Sequence, residues 1–90
     1  MDKAEEIENI MYAAEWAAVV RARAVALDRR QILLTIDGPK GVYTLNPVTC
    51  FGMGHHDDVR YLVAGVLHSV PVSSIREFGL VTAWGVNYAV

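Results

Sequence analysis

The segment QILLTIDGPKG, Gln31 to Gly41, decides the fold class of this 90-residue chain. Its first six residues are rich in branched side chains and predict a strand, whereas DGPKG predicts a turn because Asp-Gly tolerates positive φ and Pro39 fixes its own. The segment therefore predicts a β-hairpin whose second strand is VYTLNPVTCFGM, residues 42–53. Pro47 inside that strand lacks a ladder donor, so it indicates an edge, a bulge or a bend.

Downstream of the hairpin, glycine and proline continue to separate short apolar runs. We expect GHHDD (54–58) to form a loop, VRYLVAGVL (59–67) a third strand, and SVPVSSI (69–75) a short strand followed by a tight turn. FGLVTAWGVNYAV (78–90) predicts a last strand and an apolar tail. One helix followed by about five such strands is typical of an α+β protein built on a small, strongly bent antiparallel sheet or barrel.

Upstream of the hairpin, residues 2–28 contain no glycine or proline and are rich in alanine, glutamate and arginine, which predicts one long helix of about 40 Å. Its apolar residues form two adjacent stripes. The first stripe, which is expected to be buried, comprises Ile7, Ile10, Ala14, Ala17 and Ala24, and the second comprises Tyr12, Trp16, Val20 and Leu27. Because a helix lying on a sheet buries one face, the second stripe requires either another face of the core or another molecule.

Length and composition predict a single domain over residues 1–90, and the order of the elements within it predicts a helix to residue 30 and a small, bent antiparallel sheet or barrel over 31–90. The chain is 53% hydrophobic and only 20% charged, so some apolar surface is expected to stay exposed or to pair with a partner. Residues 1–15 carry a net charge of −4 and residues 16–90 a net charge of +2. Acid at the start of a helix and arginine at its end suit the helix dipole, and a pI near 5.8 gives no general support to nucleic-acid binding.

Cys50 is the lone cysteine, which excludes an intrachain disulfide and suits a reducing cytoplasm. The acidic start of the chain is unlike a secretory signal, and no apolar run approaches the roughly 20 residues of a membrane span. We therefore expect a cytoplasmic protein that has no membrane partner.

Three segments spread over most of the chain carry a family resemblance. AVALDRRQILLTI (24–36) joins a helix end to a basic pair and an alternating strand, LNPVTCFGM (45–53) holds a proline within a strand, and Arg60-Tyr61-Leu62 precedes Val63-Ala64. Together they resemble the WYL domain, a small SH3/Sm-like β-barrel of bacterial transcription regulators and proteins linked to phage defence. The resemblance implies a five-stranded, strongly bent antiparallel SH3/Sm-like barrel behind the helix, and a binding or regulatory role.

The sequence departs from the family pattern at its binding positions. His68 and Ser74 lie where the family tends to place arginines, Val70 replaces an aromatic residue, and Arg60 replaces the tryptophan of the signature. Neither histidine nor serine can offer the bidentate guanidinium contact. The resemblance thus supports the fold better than the inherited site, and a single helix over residues 1–30 leaves no helix-turn-helix segment.

The basic residue of greatest interest is Arg60. Strand alternation places Arg60 and Leu62 on one face and Tyr61 and Val63 on the other, so we expect Arg60 to be exposed and Tyr61 to enter the core. Arg60 can belong to a basic surface with Lys40, Arg76, Arg29 and Arg30, or it can be a solvated charge. The candidate ligand or nucleic-acid residues are Arg60, Tyr61, His68, Lys40 and Arg76.

Metal and catalytic sites have weaker sequence support. GHHDD combines imidazole and carboxylate groups, but adjacent residues of an extended loop point in different directions, so no metal is assigned. The serines, histidines and aspartates include no nucleophile elbow, phosphate loop or metalloprotease helix. We expect a protein that is not an enzyme and uses no cofactor.

Large aromatic residues of the helix and the tail define a candidate partner interface, comprising Tyr12, Trp16, Val20, Trp84 and Tyr88. The closing strand is expected to be buried to about Trp84, and the residues after it to contact a partner. Two roles stay open. One is a WYL-like module that recognises a partner protein, a ligand or single-stranded nucleic acid in a bacterial or phage setting, and the other is a homo-oligomer or inhibitor subunit without such binding.

Overall fold

The computed structural model describes residues 3–87, with no side-chain description for Glu5 and Asn87. The elements in chain order are α1 (Lys3–Ala26), β1 (Gln31–Gly38), β2 (Gly41–Met53), β3 (Asp58–Val63), β4 (Val66–Pro71), a 3₁₀ helix (Val72–Ser74), β5 (Ile75–Thr82) and β6 (Gly85–Asn87). The prediction of an α+β chain that begins with one long helix is confirmed. The helix ends at Ala26 because Arg29, in the turn that follows, adopts a left-handed φ of 69°.

The six strands form one antiparallel sheet in the order β4-β3-β2-β1-β5-β6. Within residues 3–87, β4 and β6 are the two outer strands and no ladder joins them, so the predicted closed barrel of five strands is wrong. Two short turns move the strand boundaries. Ala64 and Gly65, with φ of 48° and 82°, end β3 within the predicted third strand, and β4 then continues into the predicted short strand at 69–75. A turn at Ala83 and Trp84 divides the predicted last strand into β5 and β6, which adds the sixth strand.

Strand β2 bends where Pro47 interrupts its ladder with β1. Leu34 pairs with Leu45 and Ile32 pairs with Val48, so two residues of β2 oppose one residue of β1 at this point. The predicted irregularity at Pro47 is therefore confirmed as a bulge in an interior strand.

The core lies between the sheet and the C-terminal half of α1. Val20 and Ala24 from the helix, and Leu27 from the turn directly after it, pack in one cluster with buried residues of every strand from β1 to β5. The described side chains from Lys3 to Glu15 are all exposed, and Ile7 and Ile10 are 57% and 68% exposed. The predicted burial of Ile7, Ile10 and Ala14 is wrong, because the helix extends beyond the sheet and only its second half is covered.

Two helix side chains fix α1 along β5. The indole Nε1–H of Trp16 donates to the carbonyl of Ile75 at 2.7 Å, and the guanidinium of Arg23 donates to the carbonyl of Phe78 at 3.0 Å. The Arg23 guanidinium also lies 5.8 Å from the centre of the Trp16 ring. These contacts place the end of α1, and Arg29 after it, against the bent part of β2.

Candidate ligand-binding site

Arg60 lies opposite a second bulge in β2. Cys50 pairs with Tyr61 and Met53 pairs with Val59, so Phe51 and Gly52 together oppose Arg60. The φ of 68° at Gly52 is the left-handed conformation that glycine adopts without strain at such a bulge. Arg60 is exposed, as predicted, and its Nη2 donates to the carbonyl of Phe51 at 3.4 Å.

Arg29 reaches the same phenylalanine from the end of the helix. Its N–H donates to the carbonyl of Cys50 at 2.6 Å, and the N–H of Cys50 donates to the carbonyl of Arg30 at 2.9 Å. These bonds fasten the helix-to-strand turn onto β2. The Arg29 guanidinium carbon then lies 4.9 Å from the centre of the Phe51 ring, within range of a cation–π interaction. Phe51 therefore contacts two guanidinium groups, that of Arg29 through its ring and that of Arg60 through its carbonyl.

These residues surround an open cavity of about 360 Å³, which we name the Arg29–Phe51–Arg60 pocket. It is lined by Val25, Asp28, Arg29, Phe51, Gly52, Met53 and Arg60. The Asp28 carboxylate lies 3.9 Å from Nε of Arg29, so it offsets part of the positive charge. Two guanidinium groups against one carboxylate leave a net positive pocket with planar donors for an anion and one acceptor for an N–H group.

Tyr61 and His68 belong to the opposite face of the sheet from Arg60. The two residues pair directly across β3 and β4, and their rings stack with centroids 5.5 Å apart. Tyr61 is buried, as predicted, while His68 is exposed. Burial raises the pKa of the Tyr61 hydroxyl, and the neighbouring Tyr43 hydroxyl raises it further. The pair does not line the Arg29–Phe51–Arg60 pocket.

Lys40 and Arg76 also lie outside that pocket. Lys40 is exposed in the turn between β1 and β2, and Arg76 forms an ion pair of 2.8 Å with Asp37. A second cavity of about 410 Å³ brings Arg76 together with Tyr12 and Trp16 beside the helix. The five residues predicted to bind a ligand therefore do not converge, and Arg60 alone lies in the Arg29–Phe51–Arg60 pocket.

The residues of the predicted partner interface do not form one surface either, because some are buried against the sheet and others are exposed. Val20 has no exposed surface and Trp16 is half-buried against the chain's own sheet, so these two side chains anchor the helix. Tyr12 is 73% exposed. Trp84 is 98% exposed in the turn between β5 and β6, so its predicted burial is wrong. Tyr88 lies outside the described residues.

The GHHDD loop has a structural role that the sequence did not reveal. The Asp57 carboxylate accepts two hydrogen bonds of 2.7 Å from the Arg21 guanidinium. These bonds hold the pKa of Asp57 below its usual value. His55 and His56 are exposed beside it. The loop thus ties the middle of the helix to the start of β3.

Among residues 3–87, no helix is both long and apolar enough to cross a membrane. In the same part of the chain, no three histidine, cysteine, aspartate or glutamate side chains come close enough to share a metal ion. Comparison with family models, curated proteins and solved structures gives no match for this chain.

Sequence reasoning identified Arg60 and named Arg29 as a possible neighbour, but it missed Phe51. Phe51 lies between Cys50 and Gly52, and Gly52 offered one signal of an irregular strand, because a glycine within a strand often marks a bulge. A bulge breaks the alternation of side chains between the two faces of a sheet. The face to which Phe51 belongs therefore cannot be assigned by counting residues along the sequence.

Proposed function

We propose that this protein is a non-enzymatic recognition module that binds single-stranded nucleic acid at the Arg29–Phe51–Arg60 pocket. The observation that carries the proposal is the position of Phe51 between two guanidinium groups. Arginine is suited to phosphate because its planar donors match the oxygens, and its flat face also stacks on bases.

The pocket offers both kinds of contact. The Arg29 side chain is 74% exposed although its guanidinium lies over the Phe51 ring, so its outer side is open to a base. Arg60 is exposed across the cavity and can meet a phosphate. Asp28 can accept a hydrogen bond from the amino edge of a base. Because the whole chain has a charge of −2, binding depends on this local patch and we expect it to weaken steeply with salt.

The WYL-type relationship belongs to the same proposal. It is supported by Arg60-Tyr61-Leu62 on β3 and by the proline-containing strand β2. A regulatory or defence role in a bacterial or phage cytoplasm follows from that resemblance. The buried thiol of Cys50 suits such a reducing compartment.

The test is fluorescence anisotropy of a labelled mixed-sequence single-stranded RNA or DNA oligonucleotide at low and moderate salt. We expect Arg60→Ala to weaken binding about tenfold and to reduce the slope of log affinity against log salt by about one. Phe51→Ala should weaken binding by a similar or larger factor, because it releases Arg29 and removes the stacking support.

Arg76→Ala is the matched control, because Arg76 is an exposed strand arginine that lies outside the pocket. It should leave the affinity within about twofold of the parent. No binding at low salt would refute the proposal, and so would an equal loss in Arg60→Ala and Arg76→Ala. Circular dichroism of each variant establishes that the fold is retained.

A further inference from the structure

The face of α1 that points away from the sheet carries an uncharged stripe along most of the helix. This outward stripe consists of Ile7, Met11, Ala14, Ala18, Ala22 and Val25. Its members are spaced by three or four residues, so they follow the 3.6-residue period of a straight helix. All six are exposed, and they lie on the opposite side of the helix from Val20, Ala24 and Leu27.

We propose that a second copy of this chain packs antiparallel against the outward stripe to form a two-fold homodimer. The stripe spans about 27 Å from Ile7 to Val25. A continuous apolar surface of this length is unfavourable in water and is typical of a contact with another molecule. The two sheets lie on opposite sides of such a helix pair, since each sheet covers the other face of its own helix. The dimer therefore requires no change in the fold of either copy.

The distribution of charge along the helix favours a second copy of this chain as the partner and an antiparallel orientation of the two helices. Residues 1–15 carry a net charge of −4, whereas residues 16–30 carry four arginines and one aspartate. Arg21 is paired with Asp57, Arg23 contacts the sheet, and Arg29 and Arg30 follow the end of the helix, so the remaining positive charge lies towards and just beyond the C-terminal end of α1. An antiparallel pair places each acidic half beside this end of the other helix and opposes the two helix dipoles. A parallel pair would place acid beside acid.

The sizes of the side chains fit the same arrangement. Small residues, Ala14 and Ala18, occupy the middle of the outward stripe and allow close approach of two helices, while larger residues occupy its ends. The register that lays the stripe fully on itself sets Ala14 opposite Ala18 and Ile7 opposite Val25 of the second copy. Each large end then meets a large end.

The contact area predicts the strength of the dimer. One helix-to-helix contact of this length lies at or below the low end of the 1,200–2,000 Å² that specific interfaces bury. We therefore expect a reversible dimer whose population depends on concentration. Its contact is mainly apolar, so it should persist at a salt concentration that abolishes nucleic-acid binding.

Sedimentation equilibrium from about 1 µM to 1 mM tests the association. The parent mass should rise from that of the monomer towards twice that value. Ala18→Glu places a charge in the middle of the stripe at an exposed position and should remain monomeric throughout. Ala13→Glu is the matched control, because Ala13 is also exposed but lies on a different side of the helix. It should associate like the parent.

A parent that stays monomeric at the highest concentration refutes the dimer, as does an equal loss of association in both variants. A trimer or larger assembly refutes it as well. Both alanines are exposed, so neither substitution disturbs the core, and circular dichroism of both variants checks that the fold is retained.

Disulfide cross-linking tests the direction. A mixture of the Ile7→Cys and Val25→Cys variants should form the mixed disulfide, while Ile7→Cys alone should cross-link poorly. Cys50 is buried and does not compete. Efficient cross-linking of Ile7→Cys to itself would indicate a parallel pair and overturn the proposal.

Discussion

Replacement of Trp16 by phenylalanine should destabilise the protein by about 2 kcal/mol. The change removes the indole donor that lies 2.7 Å from the carbonyl of Ile75, and a lost hydrogen bond in a partly buried place costs about 1–2 kcal/mol. The smaller ring also weakens the contact with the Arg23 guanidinium, which contributes about 0.5 kcal/mol. For a domain of this size, such a loss lowers the melting temperature by about 8–16 °C.

The matched control is Trp84→Phe, which makes the same chemical change at a side chain that is 98% exposed. Its free energy of unfolding should stay within about 0.5 kcal/mol of the parent. Urea denaturation followed by far-ultraviolet circular dichroism measures both variants at low protein concentration, where self-association does not contribute. Equal unfolding free energies for Trp16→Phe and Trp84→Phe would refute the assignment of Trp16 as the residue that fastens the helix to β5.

Three further predictions concern the bends and loops around the core. The Arg21–Asp57 ion pair lowers the pKa of Asp57 in the folded protein. The ion pair therefore stabilises the fold above the unfolded pKa of 3.8, and this contribution is lost as the pH falls through the folded pKa. Asp57→Asn should accordingly show a smaller fall in melting temperature on acidification than the parent. Gly52→Ala should cost about 1–3 kcal/mol in urea denaturation because its φ is 68° and the added Cβ would lie 3.4 Å from Asp28, and an unchanged midpoint would contradict this. Burial raises the pKa of the Cys50 thiol, so Ellman's reagent should label it slowly in the native protein and rapidly in urea, whereas rapid native labelling would show that the thiol is accessible.

The parts of the fold that follow from local chemistry were predictable. The absence of glycine and proline before residue 29 predicted the helix, and the DGPKG segment predicted the first hairpin, because each signal acts on its own neighbours. The turn itself lies at Pro39 and Lys40, and the positive φ belongs to Gly41 and not to Asp37-Gly38. The turn at Ala64-Gly65 was missed since alanine rarely adopts the left-handed conformation that it has there. Barrel closure could not be predicted either, because it depends on whether two strands distant in sequence meet at their edges.

The candidate site was also predictable only where it follows from regular local structure. Alternation along β3 correctly placed Arg60 outside and Tyr61 inside. The pocket itself depends on two departures from regular structure, namely the bulge at Phe51-Gly52 and the left-handed backbone of Arg29. Neither departure has a periodic signature, so the sequence alone could not bring the two arginines to one phenylalanine.

The composition of α1 connects these results. The middle of α1, AAEWAAVV (13–20), is apolar on nearly every side, and such a segment favours contacts on more than one face. The sheet covers the face that contains Val20, Ala24 and Leu27, and it leaves the outward stripe uncovered. Since the sheet covers one side only, the outward stripe is explained by a second copy. Recognition and association share Val25, which ends the outward stripe and also lines the Arg29–Phe51–Arg60 pocket. A substitution in the middle of the stripe, such as Ala18→Glu, lies outside the pocket and need not disturb recognition.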